Sequence, residues 1–219
     1  MERWATFDCY GTLIDWNGGI RGQLERLFGP AEGERLLGRY HELEPRIQAE
    51  QPTLTYREVQ TLSLERLAGS EGVDLAPGET DALARSLPDW SAFPEVPAAL
   101  DEARSRGWRL GILSNSDPGL IAASIERIGV PFDDVVTASG IGSYKPAHGH
   151  WQVFEERHGR LPDVHVGASL FHDMGPAGEL GIPSVWVNRL AEQPGSHRPT
   201  REISDLGPLP GVLDGLVAL

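Results

Sequence analysis

Apolar residues enter this chain in two rhythms. Short unbroken runs read as strands buried on both faces: Trp4-Ala5-Thr6-Phe7, Leu110-Gly111-Ile112-Leu113, Val135-Val136-Thr137-Ala138, Val164-His165-Val166-Gly167-Ala168 and Ser184-Val185-Trp186-Val187. Polar or turn-forming residues stop each run, among them Asp8, the stretch Ser114-Asn115-Ser116-Asp117-Pro118, Ser139-Gly140, Ser169 and Asn188-Arg189. Between the runs, residues 96–106, 118–128, 150–158 and 174–180 carry helical spacing. Strands alternating with helices of this length predict an α/β fold, a doubly wound parallel sheet with helices on both faces.

Residues 15–93 break the alternation. Apolar positions recur there at helical intervals, at Leu24, Leu27 and Phe28, at Leu36, Leu37, Tyr40 and Leu43, at Val59, Leu62, Leu64 and Leu67, and at Leu83 and Leu87. Gly29-Pro30, Gln51-Pro52 and Pro77-Gly78 punctuate them, and no run reads as a strand. The expectation is a core domain of residues 1–14 and 94–219, Rossmann-like, with an all-helical cap domain of residues 15–93 inserted after the first strand. Residues 191–210, rich in Pro, Gly and Ser, read as a loop or wrap-around arm.

Composition narrows the function. The 219 residues hold 19 basic and 32 acidic side chains, a net charge of −13, which argues against nucleic acid or an anionic membrane as partner. Such a charge does not steer anions either, so an anionic substrate must be captured by local groups. No stretch approaches the ~20 apolar residues that cross a bilayer, and the N-terminus lacks the apolar core of a secretory signal. One cysteine, Cys9, excludes an internal disulfide and suits a reducing, cytoplasmic setting. Of the 19 basic residues only Lys145 is a lysine. In a chain that otherwise uses arginine, the single lysine is either an accident of composition or kept for a task that a guanidinium does not perform.

Ligands of an open parallel sheet bind at the carboxyl ends of its strands. Those ends carry Asp8, Ser114, Asn115 and the stretch from Ser169 to Asp173, with Lys145 on the loop after the third strand. Together they supply a carboxylate nucleophile, hydrogen-bond donors, a cation that keeps the nucleophile ionised and a second carboxylate. Cys9 sits beside Asp8, but strand alternation turns it into the core.

The motifs Phe7-Asp8-Cys9-Tyr10-Gly11-Thr12-Leu13, Leu113-Ser114-Asn115, Tyr144-Lys145-Pro146 and Val166-Gly167-Ala168-Ser169-Leu170-Phe171-His172-Asp173 resemble, in order, the four motifs of the haloacid dehalogenase superfamily. The resemblance implies a hydrolase in which Asp8 is the nucleophile. Thr12, Ser114 and Asn115 then hold it and bind the substrate's anionic group, Lys145 keeps it ionised, and Asp173 is the acidic residue of the fourth motif. Phosphatases of the superfamily carry a second aspartate where Tyr10 stands and a magnesium-binding acid where Ala168 stands. Loss of a carboxylate from such a cluster weakens Mg²⁺ binding.

The opening Asp-Cys-Tyr-Gly-Thr-Leu resembles instead the metal-independent 2-haloacid dehalogenases, and that likeness assigns Arg39 to the departing halide and the substrate. Ser169-Leu170-Phe171-His172-Asp173 is similar to a branch that includes an azetidine-2-carboxylate hydrolase, which opens a strained ring. There the leaving amine needs a proton, with His172 or Tyr10 as assistants. Tyr10, Trp16, Tyr40 and Trp90 are candidates to wall a dry pocket, and Ser169 and Trp16 join the substrate-binding set.

The expected activity is displacement of a leaving group from a small carboxylic acid through an ester on Asp8 that water then hydrolyses. The alternatives are ring opening of the azetidine-2-carboxylate type and a phosphatase with a degraded Mg site. No cofactor is expected, with Mg implied only by the phosphatase alternative, and the family-level expectation for assembly is a homodimer.

Overall fold

A computed structural model describes residues 2–217. Its sheet comprises β1 (Arg3–Phe7), β2 (Trp108–Ser114), β3 (Asp134–Thr137), β4 (Val164–Gly167), β5 (Ser184–Val187) and β6 (Arg201–Ile203), in spatial order β3-β2-β1-β4-β5-β6. All neighbouring pairs run parallel. The chain builds outward from β1 through β2 to β3, then returns to the other flank of β1 with β4. The crevice outside the carboxyl ends of β1 and β4 is therefore the topological switch point, where ligands of such sheets bind.

Alternate residues feed two cores. Ala5 and Phe7 of β1 and Leu110 and Ile112 of β2 face the larger cluster, whereas Trp4 and Leu113 face a smaller one with Trp151 and Phe154. Apolar residues on both faces are what the unbroken runs require, and the period of two sorts them.

Between β1 and β2 stand the helices α1 (Trp16–Phe28), α2 (Gly33–Glu50), α3 (Tyr56–Glu71) and α4 (Ala82–Ser86). Asp15 caps α1 by accepting from Gly18 N at 2.9 Å, and Thr55 and Glu58 form a capping box on α3. Leu24, Leu36, Leu37, Tyr40, Val59, Leu64, Leu67, Leu83 and Leu87 are buried, so the helical spacing marks a true core face. The chain leaves and re-enters the sheet through adjacent backbone: Asp15 N donates to Ser91 O at 2.9 Å and Phe93 N to Leu13 O at 3.0 Å.

The remaining helices are α5 (Val96–Ser105), α6 (Pro118–Ile128), α7 (Ala138–Ile141), α8 (Gly149–His158), α9 (Gly175–Glu179) and α10 (Leu209–Leu216). Two features depart from the expectation. The third strand ends at Thr137, because Ala138 opens α7. The stretch read as an arm contributes β6, a three-residue edge strand with two exposed positions, and is followed by α10, which buries Leu209 and Leu213. A strand this short, on an edge, carries no alternation to read.

Candidate active site

Asp8 follows β1 directly, and its backbone N–H extends the ladder by donating to Val166 O at 2.9 Å. Gly11, at φ 86°, takes the left-handed conformation of the following turn and brings Thr12 back over the aspartate. Thr12 Oγ1 donates to Asp8 Oδ2 at 2.8 Å and accepts from Ala168 N at 2.9 Å, which ties the ends of β1 and β4 together. Lys145 Nζ donates to Asp8 Oδ1 at 3.0 Å and to Asp173 Oδ1 at 2.6 Å.

Lys145 is almost wholly buried, at 2% exposure, and its backbone is clamped. Asn115 Oδ1 accepts from Lys145 N at 2.6 Å while Asn115 Nδ2 donates to Lys145 O at 2.9 Å. The neighbouring Tyr144 hydroxyl donates to Leu54 O at 2.8 Å, and Asp117 accepts from Tyr56 N at 2.9 Å and Arg57 N at 3.0 Å. A core carboxylate thus sits on the N-terminus of α3, where the free N–H groups and the helix dipole favour it.

Asp173 lies in a single π-type turn, Leu170–Met174, that Ser169 caps by accepting from His172 N at 3.0 Å. Gly167 makes room for it, since a Cβ there would stand 2.5 Å from Asp173 Cγ. Beneath the turn His165 joins Asp173 Oδ1 at 3.3 Å through Nε2 and Thr6 Oγ1 at 2.9 Å through Nδ1. The tautomer that satisfies both contacts carries its proton on Nε2 and accepts from Thr6.

The electrostatics separate the two aspartates. Burial opposes the charge on Asp173, but Lys145 and His165 outweigh it and hold the carboxyl well below its ordinary range. Burial raises the Asp8 carboxyl above its ordinary value, Lys145 offsets part of the rise, and the Asp173 charge adds to it. Burial works against the Lys145 ammonium as well, yet Asp173 and Asp8 raise its pKa. The arrangement is a shared ammonium with one firmly ionised anchor and one more basic carboxylate. The more basic of the two, Asp8, faces the open cleft.

That cleft encloses about 900 Å³, bounded on the sheet side by Asp8, Tyr10, Ser114, Asn115, Lys145, Ala168, Ser169, His172 and Asp173. Trp16 also lines it, its indole N–H donating to the Tyr56 hydroxyl at 2.7 Å. Tyr10 stacks on Tyr56 at 6.0 Å, and its hydroxyl pairs with Ser124 at 3.0 Å. Thr12 is fully buried and is not among the lining residues, so it positions Asp8 and does not meet the substrate. Cys9 is buried, with its thiol pushed up by burial.

Three roles need correction. Arg39 is not in the cleft; it pairs with Glu71 and donates to Ser70 Oγ at 3.0 Å on the outer side of α2. At about 100° per residue, Glu34, Leu37, Gly38, His41, Pro45 and Gln48 form the stripe that lines the cleft, and Arg39 falls on a different one. Asn115 lines the cleft, but both polar atoms of its amide also hold the Lys145 backbone, which adds a positioning role to the expected one. Burial lowers His172 to about 4, so at neutral pH the ring is uncharged and is not the imidazolium acid that a leaving amine would call on. Of the aromatic candidates, Tyr40 and Trp90 pack inside the core and only Trp16 and Tyr10 reach the cleft.

The sequence reading passed over Tyr56, His165, Glu44 and Arg189. Arg189 follows β5, donates to Thr12 O at 2.8 Å and Glu95 at 2.7 Å, and covers the Phe93 ring at 3.6 Å. The metal question is one of donors. Among the described residues no group of three His, Cys, Asp or Glu side chains is arranged to hold an ion. Asp8 and Asp173 each give one oxygen to the Lys145 ammonium, and with Tyr10 and Ala168 in place of further acids no third carboxylate of the described residues stands beside them, so the donor set does not fit Mg²⁺.

The fold and this arrangement gather two aspartates and a buried lysine at the switch point of a parallel sheet. The chain matches the family model of haloacid dehalogenase-like hydrolases over residues 3–177 and belongs to that family. It is 27% identical to (S)-2-haloacid dehalogenase 4A of Burkholderia cepacia over 201 residues, 88% of this chain and 85% of the relative. It is 28% identical to (S)-2-haloacid dehalogenase 1 of Pseudomonas sp. (strain CBS-3) over 225 residues, 96% of each. Among solved structures, the L-2-haloacid dehalogenase RSc1362 superposes with a TM-score of 0.86 at 25% identity, covering 97% of this chain and 99% of that one. Among the described residues no helix is long and apolar enough to cross a membrane.

Proposed function

We propose that this hydrolase works without a metal and displaces a leaving group from a saturated carbon of a small carboxylic acid. The observation that carries the reading is the ammonium of Lys145 held at 3.0 Å from Asp8 and 2.6 Å from Asp173. It neutralises the two carboxylates without a divalent ion and leaves Asp8 open to the cleft. An Asp8 oxygen attacks the carbon, the leaving group departs with the bonding electron pair, and an ester forms. Water then adds to the ester carbonyl, which releases the hydroxy acid and a proton and restores the carboxylate. Carbon-halogen cleavage asks for no proton on the leaving group, in keeping with a Tyr10 hydroxyl engaged by Ser124 and a neutral His172.

The test is a panel of purified protein with a 2-chloro acid, azetidine-2-carboxylate, and an aryl phosphate with and without Mg²⁺. Halide or ring-opened product is expected, and Asp8→Asn reduces it to background. Phosphate release that depends on Mg²⁺, with neither carboxylic acid consumed, refutes the reading.

A further inference from the structure

Glu44 lies on the α2 stripe that lines the cleft, facing the sheet-side residues across it, and is buried to 7% exposure. Its Oε1 accepts from Gln48 Nε2 at 3.0 Å. Among the described residues it enters no ion pair, and the three basic residues that line the cleft are committed elsewhere. Lys145 is held by Asp8 and Asp173, Arg21 by Glu34 at 3.4 Å, and Arg189 by Glu95, although the Arg189 Nε–H is buried without a partner. Burying a carboxylate without a cation is costly, and an apolar side chain at this position would pack the stripe at no such cost.

Two tyrosines stand close to the acid. The Tyr56 hydroxyl moderates the effect of burial on Glu44, and the Glu44 charge in turn acts on Tyr56 and Tyr40. Tyr40 Oη is buried with no hydrogen-bond partner. Trp16, bonded to Tyr56, lines the same cleft. With Tyr56 stacked on Tyr10 and Trp16 on His41, what this wall offers a cation is the Glu44 charge in a poorly solvated setting.

We infer that Glu44, with Tyr56 and Trp16, forms a subsite for a protonated amine, so that the acid taken by this enzyme carries an ammonium group. The inference rests on the proposed Asp8 chemistry for the reacting end of the substrate. The halide-binding arginine that the sequence suggested is absent from the cleft, and an acid lies in the wall instead.

Binding tests it separately from turnover. The Asp8→Asn protein is titrated calorimetrically with azetidine-2-carboxylate and with cyclobutanecarboxylate, which has a methylene in place of the ring nitrogen. A preference for the amine of about tenfold or more is expected. Adding Glu44→Gln is expected to bring the two affinities within about threefold by weakening only the amine. Should the glutamine variant fail to fold, Glu44→Asp keeps the charge and is expected to retain the preference. Equal affinity in the parent, no binding of either acid, or a preference untouched by Glu44→Gln overturns the subsite. Failure of the wild-type protein to turn over any acid, 2-chloropropionate included, counts against the Asp8 reading and leaves the binding ratio to judge the subsite.

Discussion

Glu44→Gln should make the protein more stable, and more so as pH rises. Burial lifts the Glu44 carboxyl from an ordinary 4.5 to about 7, with Tyr56 offsetting part of the effect. Below pH 4.5 both folded and unfolded chains hold the proton and the group contributes nothing to the difference. Between 4.5 and about 7 the folded chain keeps a proton that the unfolded chain has lost, so every step up in pH destabilises the fold. At about 1.4 kcal/mol per pH unit, the interval from 4.5 to about 7 amounts to a cost of about 3 kcal/mol, fully present above pH 7. Glutamine removes the charge and keeps an oxygen for Gln48 Nε2. The stability difference between variant and parent should be small at pH 4.5 and approach about 3 kcal/mol at pH 8, a rise in Tm of roughly 6–12 °C. Urea unfolding of both proteins across this range measures it, because groups that titrate alike in the two cancel in the difference. A gap that stays constant with pH refutes the reasoning, since the buried charge would then not be the source of the cost.

Lys145→Arg should leave the circular dichroism spectrum unchanged and lower turnover about 100-fold, because a nearly inaccessible site measured for one ammonium between two carboxylates has no room for a guanidinium fork. Near-normal turnover would return the lone lysine to coincidence. His165→Leu removes the Nε2 contact that helps hold Asp173 ionised beside Lys145, so turnover of the folded variant should fall while the acid limb of the activity profile, set by the more basic Asp8, stays in place. Unchanged turnover in a variant with a lowered Tm would reduce His165 to a structural role.

The sheet was legible because its strands are buried on both faces. Ala5 and Phe7 serve one core while Trp4 serves the other, so the run has to be apolar throughout. The same physics hid β6, where two of three residues are exposed and no run forms, and α10, whose Pro210, Gly211 and Gly215 mask the spacing of Leu209 and Leu213. Asp8, Lys145 and Asp173 were legible for a topological reason. A parallel sheet brings every strand end to one crevice, so residues far apart in the chain but alike in their place after a strand meet there. Arg39 misled because a motif fixes position along a helix and not rotation about it. Only the i, i+3, i+4 register says which face a residue joins, and Arg35 and Arg39 share the face that meets Glu71.

That register also held the signal for Glu44. Leu37, Tyr40, Glu44 and Ile47 follow one another at intervals of three and four, so the glutamate occupies an apolar stripe where a solvated charge does not belong. A charge that breaks the pattern of its own helix lowers stability, and it therefore has to be explained by something outside the packing. Lys145 is the parallel case on the sheet side, one ammonium in a chain of guanidiniums, lodged where two carboxylates converge. Both residues violate the local rule of their surroundings, and both line the same cleft. The lysine is answered by carboxylates within the chain, whereas the glutamate has no cation of its own, which is why its counter-charge is assigned to the ligand.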